Sequence, residues 1–208
     1  MTRIYTRGKG RDRGHQGCEM LRPIVLAGLA CVAGLAQARE CRNVEVPEHV
    51  EVHGRNLSLN GVGLRTVTIF NVRVYVAALY VAHPGTDAGP ILDSPGPTRL
   101  VLQFVRDLTA QQARDAWAKD LGRDRTPADL LPLQSRLAQL QAWMQDLHTG
   151  QRLSFTRLPG EGLTVALDDQ VKGTLPGDDF ARAFLAIWLG DDPSARKIKS
   201  SLLGGTCT

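Results

Sequence analysis

Residues 72–81 read VRVYVAALYV, ten successive positions without glycine or proline in which β-branched and aromatic types dominate. Such a run is a strand, and the chain must build a sheet around it. Its period of two sets Arg73, Tyr75, Ala77, Leu79 and Val81 on one face, and Val72, Val74, Val76, Ala78 and Tyr80 on the other. Alternating segments at 45–52, 57–59, 66–69 and 99–106 supply neighbours, with turn residues between them, as antiparallel strands require. HPG at 83–85 and SPGP at 94–97 mark breaks, with a short helical turn around 89–92.

The periodicity then changes. Thr109 and Gln112 make a capping box, and Ala113, Ala116, Trp117 and Leu121 give the helix behind it an apolar face. Thr126-Pro127 starts another helix, which Pro132 restarts. Leu133, Leu137, Leu140, Met144 and Leu147 follow as an amphipathic stripe ended by Gly150. Residues 151–157 and 163–167 read as a hairpin around LPGEG, and 170–175 extends it. Phe180, Phe184, Ile187 and Trp188 mark a further helix, and residues 193–203 a last short one. Strands, helices, a hairpin and helices again describe an α+β domain, a mainly antiparallel sheet covered on one face by helices.

The N-terminus has a different composition. From Met20 the chain reads MLRPIVLAGLACVAGLAQA: a basic residue, an apolar run over 23–36 and an A-x-A-like end at Ala36-Gln37-Ala38. That pattern is a cleavable secretory signal peptide, too short for a permanent membrane span. It predicts a leader over 1–38, a single domain over 39–208 and a periplasmic destination. Gly28-Leu29-Ala30 before Cys31 is a poor lipobox. The leader holds six bases (Arg3, Arg7, Lys9, Arg11, Arg13, Arg22) against Asp12 and Glu19, so the overall charge of +4 resides there and residues 39–208 are formally neutral. A basic nucleic-acid footprint is thereby excluded from the domain. Cys41 and Cys207 remain at its two ends, an even pair that an oxidising compartment would join, bringing the termini together.

Familiar catalytic patterns are missing: no G-x-S-x-G, no Walker loop and no H-E-x-x-H. Gly61-Val62-Gly63 reads as the opening of a bend rather than a phosphate cradle. His49 and His53 lack a third ligand, so no metal site is expected. Asp168-Asp169, Asp178-Asp179 and Asp191-Asp192 sit at turns and helix starts, where capping explains them. Trp117, Trp143 and Trp188 read as core. Arg106-Asp107, at the end of its strand, reads as a structural pair or as the end of the sheet rather than as a ligand contact.

Two polar side chains are harder to place in a core: Arg65, after two glycines, and Tyr75, within the long strand. The stretch LSLNGVGLRTVTIFNVRVYVAALYVA, then ILDSPGPTRLVLQFVRDLTAQQARDAW, LPLQSRLAQLQAWM and VKGTLPGDDFARAFLAIWLGD, resembles the chalcone isomerase-like family over about residues 43–204, most closely its exported bacterial branch. The resemblance implies an open-faced β-sandwich with a ligand cleft between sheet and helices. It implies that Arg65 falls on the arginine which is catalytic in the plant enzymes and that Tyr75 falls on their strand polar position. Plastid fatty-acid-binding proteins of the family pair an arginine and a tyrosine to hold a carboxylate. The enzymes' further tyrosine, asparagine and last-helix threonine find no counterpart, Ile187 standing near the last.

The expectation is a non-catalytic binder of a small apolar carboxylate, such as a fatty acid, or of an aromatic ligand, anchored by Arg65 and Tyr75 without a cofactor. A planar guanidinium suits a carboxylate and a phenol adds a donor. Two other readings stand beside it: an isomerase (intramolecular lyase) acting on an unsaturated ketone with Arg65 as electrophile, and a structural envelope protein whose cleft is closed. Arg65 pairing with an internal carboxylate or carbonyls is the structural alternative for that residue.

Overall fold

A computed structural model describes residues 38–67, 70–123, 125–191, 196–205 and 207. The described residues begin with a small hairpin, β1 (Ala38–Cys41) and β2 (Val44–Pro47). Seven strands then pair in chain order as one antiparallel sheet: β3 (His49–Val52), β4 (Arg55–Val67), β5 (Val72–Val81), β6 (Thr98–Phe104), β7 (Arg152–Leu158), β8 (Gly162–Leu167) and β9 (Gln170–Pro176). Helix α1 (Ala88–Leu92) sits between β5 and β6; α2 (Ala110–Gly122), α3 (Pro127–Leu130) and α4 (Gln134–Ala142) fill the long β6–β7 connection. Helices α5 (Asp178–Leu189) and α6 (Arg196–Leu202) follow β9. This is the expected α+β architecture.

The main core lies between one sheet face and the helices. Leu79, Leu100, Leu102, Phe155 and Val165 rise from the strands to meet Trp117, Leu121, Leu140, Phe184 and Trp188. Its centre is aromatic: Phe155 and Phe184 approach to 4.8 Å between ring centroids, and Trp117 contacts both at 5.9 Å. On the other face the β1–β2 hairpin lays Cys41, Val44 and Val46 over Leu57, Val62, Leu64, Val76, Ala78 and Tyr80. The capping box of Thr109 and Gln112 forms as the sequence predicts. Cys41 and Cys207 are joined as a disulfide with their Cα atoms 5.7 Å apart. The leader lies outside the described residues except for Ala38, which pairs with Pro47.

Several boundaries differ from the sequence reading. The strand expected over 45–52 splits at Pro47, which has no amide to continue a ladder; its two halves join different sheets. Segments 57–59 and 66–67 belong to one strand, β4, which continues through the two glycines without a turn; Thr68 and Ile69 lie outside the described residues. Asn60 is a bulge residue, because Leu59 pairs with Tyr80 and Gly61 with Leu79. The extra residue switches parity, so Leu57 and Leu59 face the β1–β2 hairpin, and so do Val62 and Leu64.

Gly61 and Gly63 thereby turn to the opposite face, where α6 crosses. A Cβ at Gly63 would lie 2.7 Å from Ser201 Cβ, and one at Gly61 would overlap the Ser201 carbonyl. Asn60 fastens this crossing: its amide donates to the carbonyls of Leu202 (2.7 Å) and Gly85 (3.0 Å), while its oxygen accepts from the Gly85 amide (2.7 Å). The stripe over 133–147 is not one helix either. A 3₁₀ turn, Leu131–Leu133, precedes α4, and Met144 and Leu147 are buried beyond the end of α4 by the returning chain, where Leu147 bridges to Leu108.

Candidate ligand-binding site

The site begins with register. Arg65 on β4 lies directly opposite Tyr75 on β5, and the next pair is Thr66 with Arg73, leaving Val74 as an extra residue. This second irregularity breaks the simple alternation expected for β5. Val74 and Tyr75 line the same cavity, whereas Arg73 leaves Tyr75's face and lines a separate depression with Leu64 and Thr66. The parity upstream of Val74 is thus the reverse of the sequence expectation, because a bulge adds one residue to the count.

The cavity measures about 280 Å³ and opens at this end of the sheet. Its floor is Arg65, Val74, Tyr75 and Phe104, and its roof is α2, through Ala113, Ala116, Trp117 and Asp120. The edge of Phe104 meets the Tyr75 ring at 5.8 Å. Inward the space stops at Trp117, which packs on Phe184 and on Trp188 at 5.8 Å. The lining is therefore apolar at depth and charged at the mouth.

Tyr75 is 6% exposed, and its hydroxyl oxygen accepts a hydrogen bond of 2.8 Å from Trp188 Nε1. The phenol's own proton has no acceptor among the described residues, although buried donors are ordinarily paired. Burial pushes the Tyr75 pKa up to about 12; the Arg65 charge and the Trp188 hydrogen bond oppose the rise, and Asp120 adds to it. At neutral pH this group is a protonated donor, not a base.

Arg65 Nη2 stands 3.7 Å from Asp120 Oδ2, and Arg123 Nη2 donates to Asp120 Oδ1 at 2.8 Å. The Arg65 and Asp120 side chains are 17% and 18% exposed. Arg65 thus has an internal acid beside it, as the structural alternative required, yet the cavity opens beside that pair. Among the described residues, four bases line the cavity, Arg65, Arg106, Lys119 and Arg123, against one acid, Asp120. Such an excess in a low-dielectric cleft favours an anion.

Lys119, Asp120 and Arg123 are not singled out in the sequence, and Arg106 reads there as structural rather than as part of a cavity. Arg106 does not pair with Asp107: that carboxylate accepts from the Thr149 amide (2.7 Å) and hydroxyl (2.9 Å), while Arg106 lines the cavity. Asp120 left a signal, because it continues the apolar stripe of Ala113, Ala116 and Trp117 at helical spacing. Arg106 and Lys119 are exposed and Arg123 half-buried, and in the sequence all three look like ordinary solvated charge. Among the described residues no cluster of metal-ligating groups occurs, and no helix is long and apolar enough to cross a membrane.

The family model described as chalcone isomerase-like matches residues 38–204. The chain belongs to the chalcone isomerase-like family. No curated protein sequence matches this family member. Among solved structures it is similar to a fatty-acid binding protein of Arabidopsis thaliana, with a TM-score of 0.66 and 18% identity over 81% of this chain and 96% of that one. At that identity the likeness shows a shared fold, the curled antiparallel sheet with its helical cover.

Proposed function

We propose that this chalcone isomerase-like protein is a non-catalytic binder of a small apolar carboxylate, a fatty acid being the simplest candidate. Arg65 and Tyr75 hold the headgroup; Val74, Phe104, Ala113 and Trp117 take the apolar part. One observation carries the reading: a cationic guanidinium and a phenol whose proton has no acceptor among the described residues lie on opposed strand positions and face one mostly apolar cavity. A carboxylate offers acceptors for both. The fatty-acid binding neighbour shares the fold and so accommodates the same architecture.

The isomerase reading uses Arg65 as electrophile and needs further groups to polarise the ketone and move a proton. Tyr75, its pKa pushed up to about 12 by burial, is poorly matched to proton transfer at neutral pH. Binding asks for nothing beyond what the cavity holds. The leader motif adds that the protein works after export, in the periplasm; the N-terminal sequence of the exported form tests this, with cleavage after Ala38 expected.

Titration with straight-chain acids from eight to sixteen carbons, followed by calorimetry, tests the binding reading. The wild-type protein should take up at least one of them. Arg65→Ala should weaken uptake by roughly tenfold or more, since hydrogen bonds to a charged partner are worth roughly 1.5–3 kcal/mol. An empty titration across the series, or an Arg65→Ala variant of undiminished affinity, would overturn it.

A further inference from the structure

Residues 39–208 carry 19 acids and 19 bases, yet the two signs are not mixed evenly around the β4–β5 hairpin. On one face of the hairpin is the ligand cavity, with four bases and one acid. Beside it is a second depression whose lining, among the described residues, includes Arg42, Arg73 and Lys197 and no acid. Seven of the 19 bases and one of the 19 acids therefore line these two neighbouring hollows; two of the other acids, Asp124 and Asp192, lie outside the described residues.

Elsewhere bases find acids. Arg39 meets Glu48, Arg136 meets Asp179, Arg182 meets Asp93 and Lys199 meets Asp191. The side chains of Arg42, Arg73, Arg106, Lys119 and Lys197 make no ion pair or hydrogen bond with a described residue. All five are exposed. Like charges gathered without counter-ions raise the energy of the compact chain and fit an anionic partner.

The same end also presents apolar surface. Phe70, at the hairpin tip, is 80% exposed and Val67 is 37% exposed. An aromatic ring at the tip of a basic promontory suits the interface of an anionic bilayer, where the ring sits at headgroup depth and the bases meet phosphates.

We propose that the β4–β5 end of the molecule docks on an anionic phospholipid surface, with Phe70 at the headgroups, Arg73 and Lys197 on phosphates and the cavity mouth toward the bilayer. The placement would let an apolar guest pass between membrane and cavity without crossing water. The proposal stands on charge placement and Phe70, not on the ligand reading, and the two are measured separately.

The test uses the full chain with vesicles of phosphatidylcholine alone and of phosphatidylcholine with phosphatidylglycerol at a ratio of about seven to three. Residues 1–38 include an apolar run that can itself touch lipid, so the readouts are local to the hairpin. Tryptophan fluorescence of Phe70→Trp should be quenched by bromine-labelled acyl chains in the anionic vesicles more strongly than that of the wild type, whose Trp117 and Trp188 are buried and whose half-buried Trp143 packs against Gly173 of β9, away from the hairpin. Each base near a charged bilayer strengthens binding roughly fivefold, so Arg73→Glu with Lys197→Glu should weaken anionic-vesicle binding more than tenfold. The milder Arg73→Gln with Lys197→Gln gives the same direction if charge reversal harms folding. An unquenched Phe70→Trp on vesicle-bound protein, or a double variant that binds as the wild type does, overturns the proposal. So does saturation of the patch by inorganic phosphate or by a soluble acidic protein in preference to vesicles. Fatty-acid uptake measured without vesicles stays as it was in any of these cases, which keeps failure of docking distinct from failure of the cavity reading.

Discussion

Trp188 Nε1 donates to the Tyr75 hydroxyl oxygen over 2.8 Å, and this bond ties α5 to the strand that carries the candidate site. Trp188 is 1% exposed, so its N–H has no recourse to water. The bond orients the phenol, taking one lone pair and leaving the proton for a guest. Core and site are thus coupled through one side-chain pair.

Tyr75→Phe separates the two roles. The ring still packs on Phe104, but the guest loses a donor and the Trp188 N–H loses its acceptor. A buried unsatisfied donor costs about 1–3 kcal/mol, so the melting temperature should fall by several degrees. Carboxylate affinity should fall roughly tenfold, read by calorimetry on the same sample. Unchanged affinity with a lowered melting point would confine Tyr75 to the core.

The same phenol makes stability respond to alkali. Its folded pKa, about 12, lies above the ordinary value of 10.0. Between those limits the folded state holds a proton that the unfolded state has released. The contribution is complete below pH 10, falls as pH rises and is gone above about pH 12. Denaturant midpoints measured from pH 9 to 12 should decline more steeply for the wild type than for Tyr75→Phe. Parallel curves would show that burial of this hydroxyl does not set the slope.

Asp120 is the internal rival for Arg65, 3.7 Å away. A guest carboxylate meets its repulsion and competes for the same guanidinium. Asp120→Asn should therefore raise carboxylate affinity about three- to tenfold, with little loss of stability because the pairs it makes are partly solvated. Weaker binding in that variant would show that Asp120 positions Arg65 rather than opposing the guest.

Gly61 is required by the close passage of α6, not by turn geometry. Gly61→Ala should lower stability by about 1–3 kcal/mol through overpacking against the Ser201 carbonyl. Thermal unfolding followed by circular dichroism reads this directly. An unshifted melting curve would mean that α6 can move away freely.

The Cys41–Cys207 bridge spans 166 residues. On the chain-entropy model, closing a loop that long stabilises by about 5 kcal/mol, commonly less in practice. Reduction, or Cys207→Ser, should therefore lower the melting temperature clearly under non-reducing comparison. Equal midpoints would place the two thiols outside the stability of the fold.

The strands and helices of this protein were legible locally, because periodicity, capping and turn residues are properties of neighbouring positions. The run at 72–81, the capping box at Thr109 and the apolar face of α5 could be read without any partner, and so could the distinction of Arg65 and Tyr75 as polar groups on apolar strands. What faces what could not. One added residue at Asn60 and another at Val74 reverse strand parity, and a bulge is chosen by the fit of distant elements, here α6 lying across Gly61 and Gly63. The charges around the cavity came together for the same reason. Arg65, Arg106 and Asp120 lie on β4, at the end of β6 and on α2, and only the packing of the helical layer on the sheet makes them neighbours. Local sequence selects a conformation through short-range sterics and hydrogen bonding; long-range contact, which depends on how whole faces are buried, selects the company each side chain keeps.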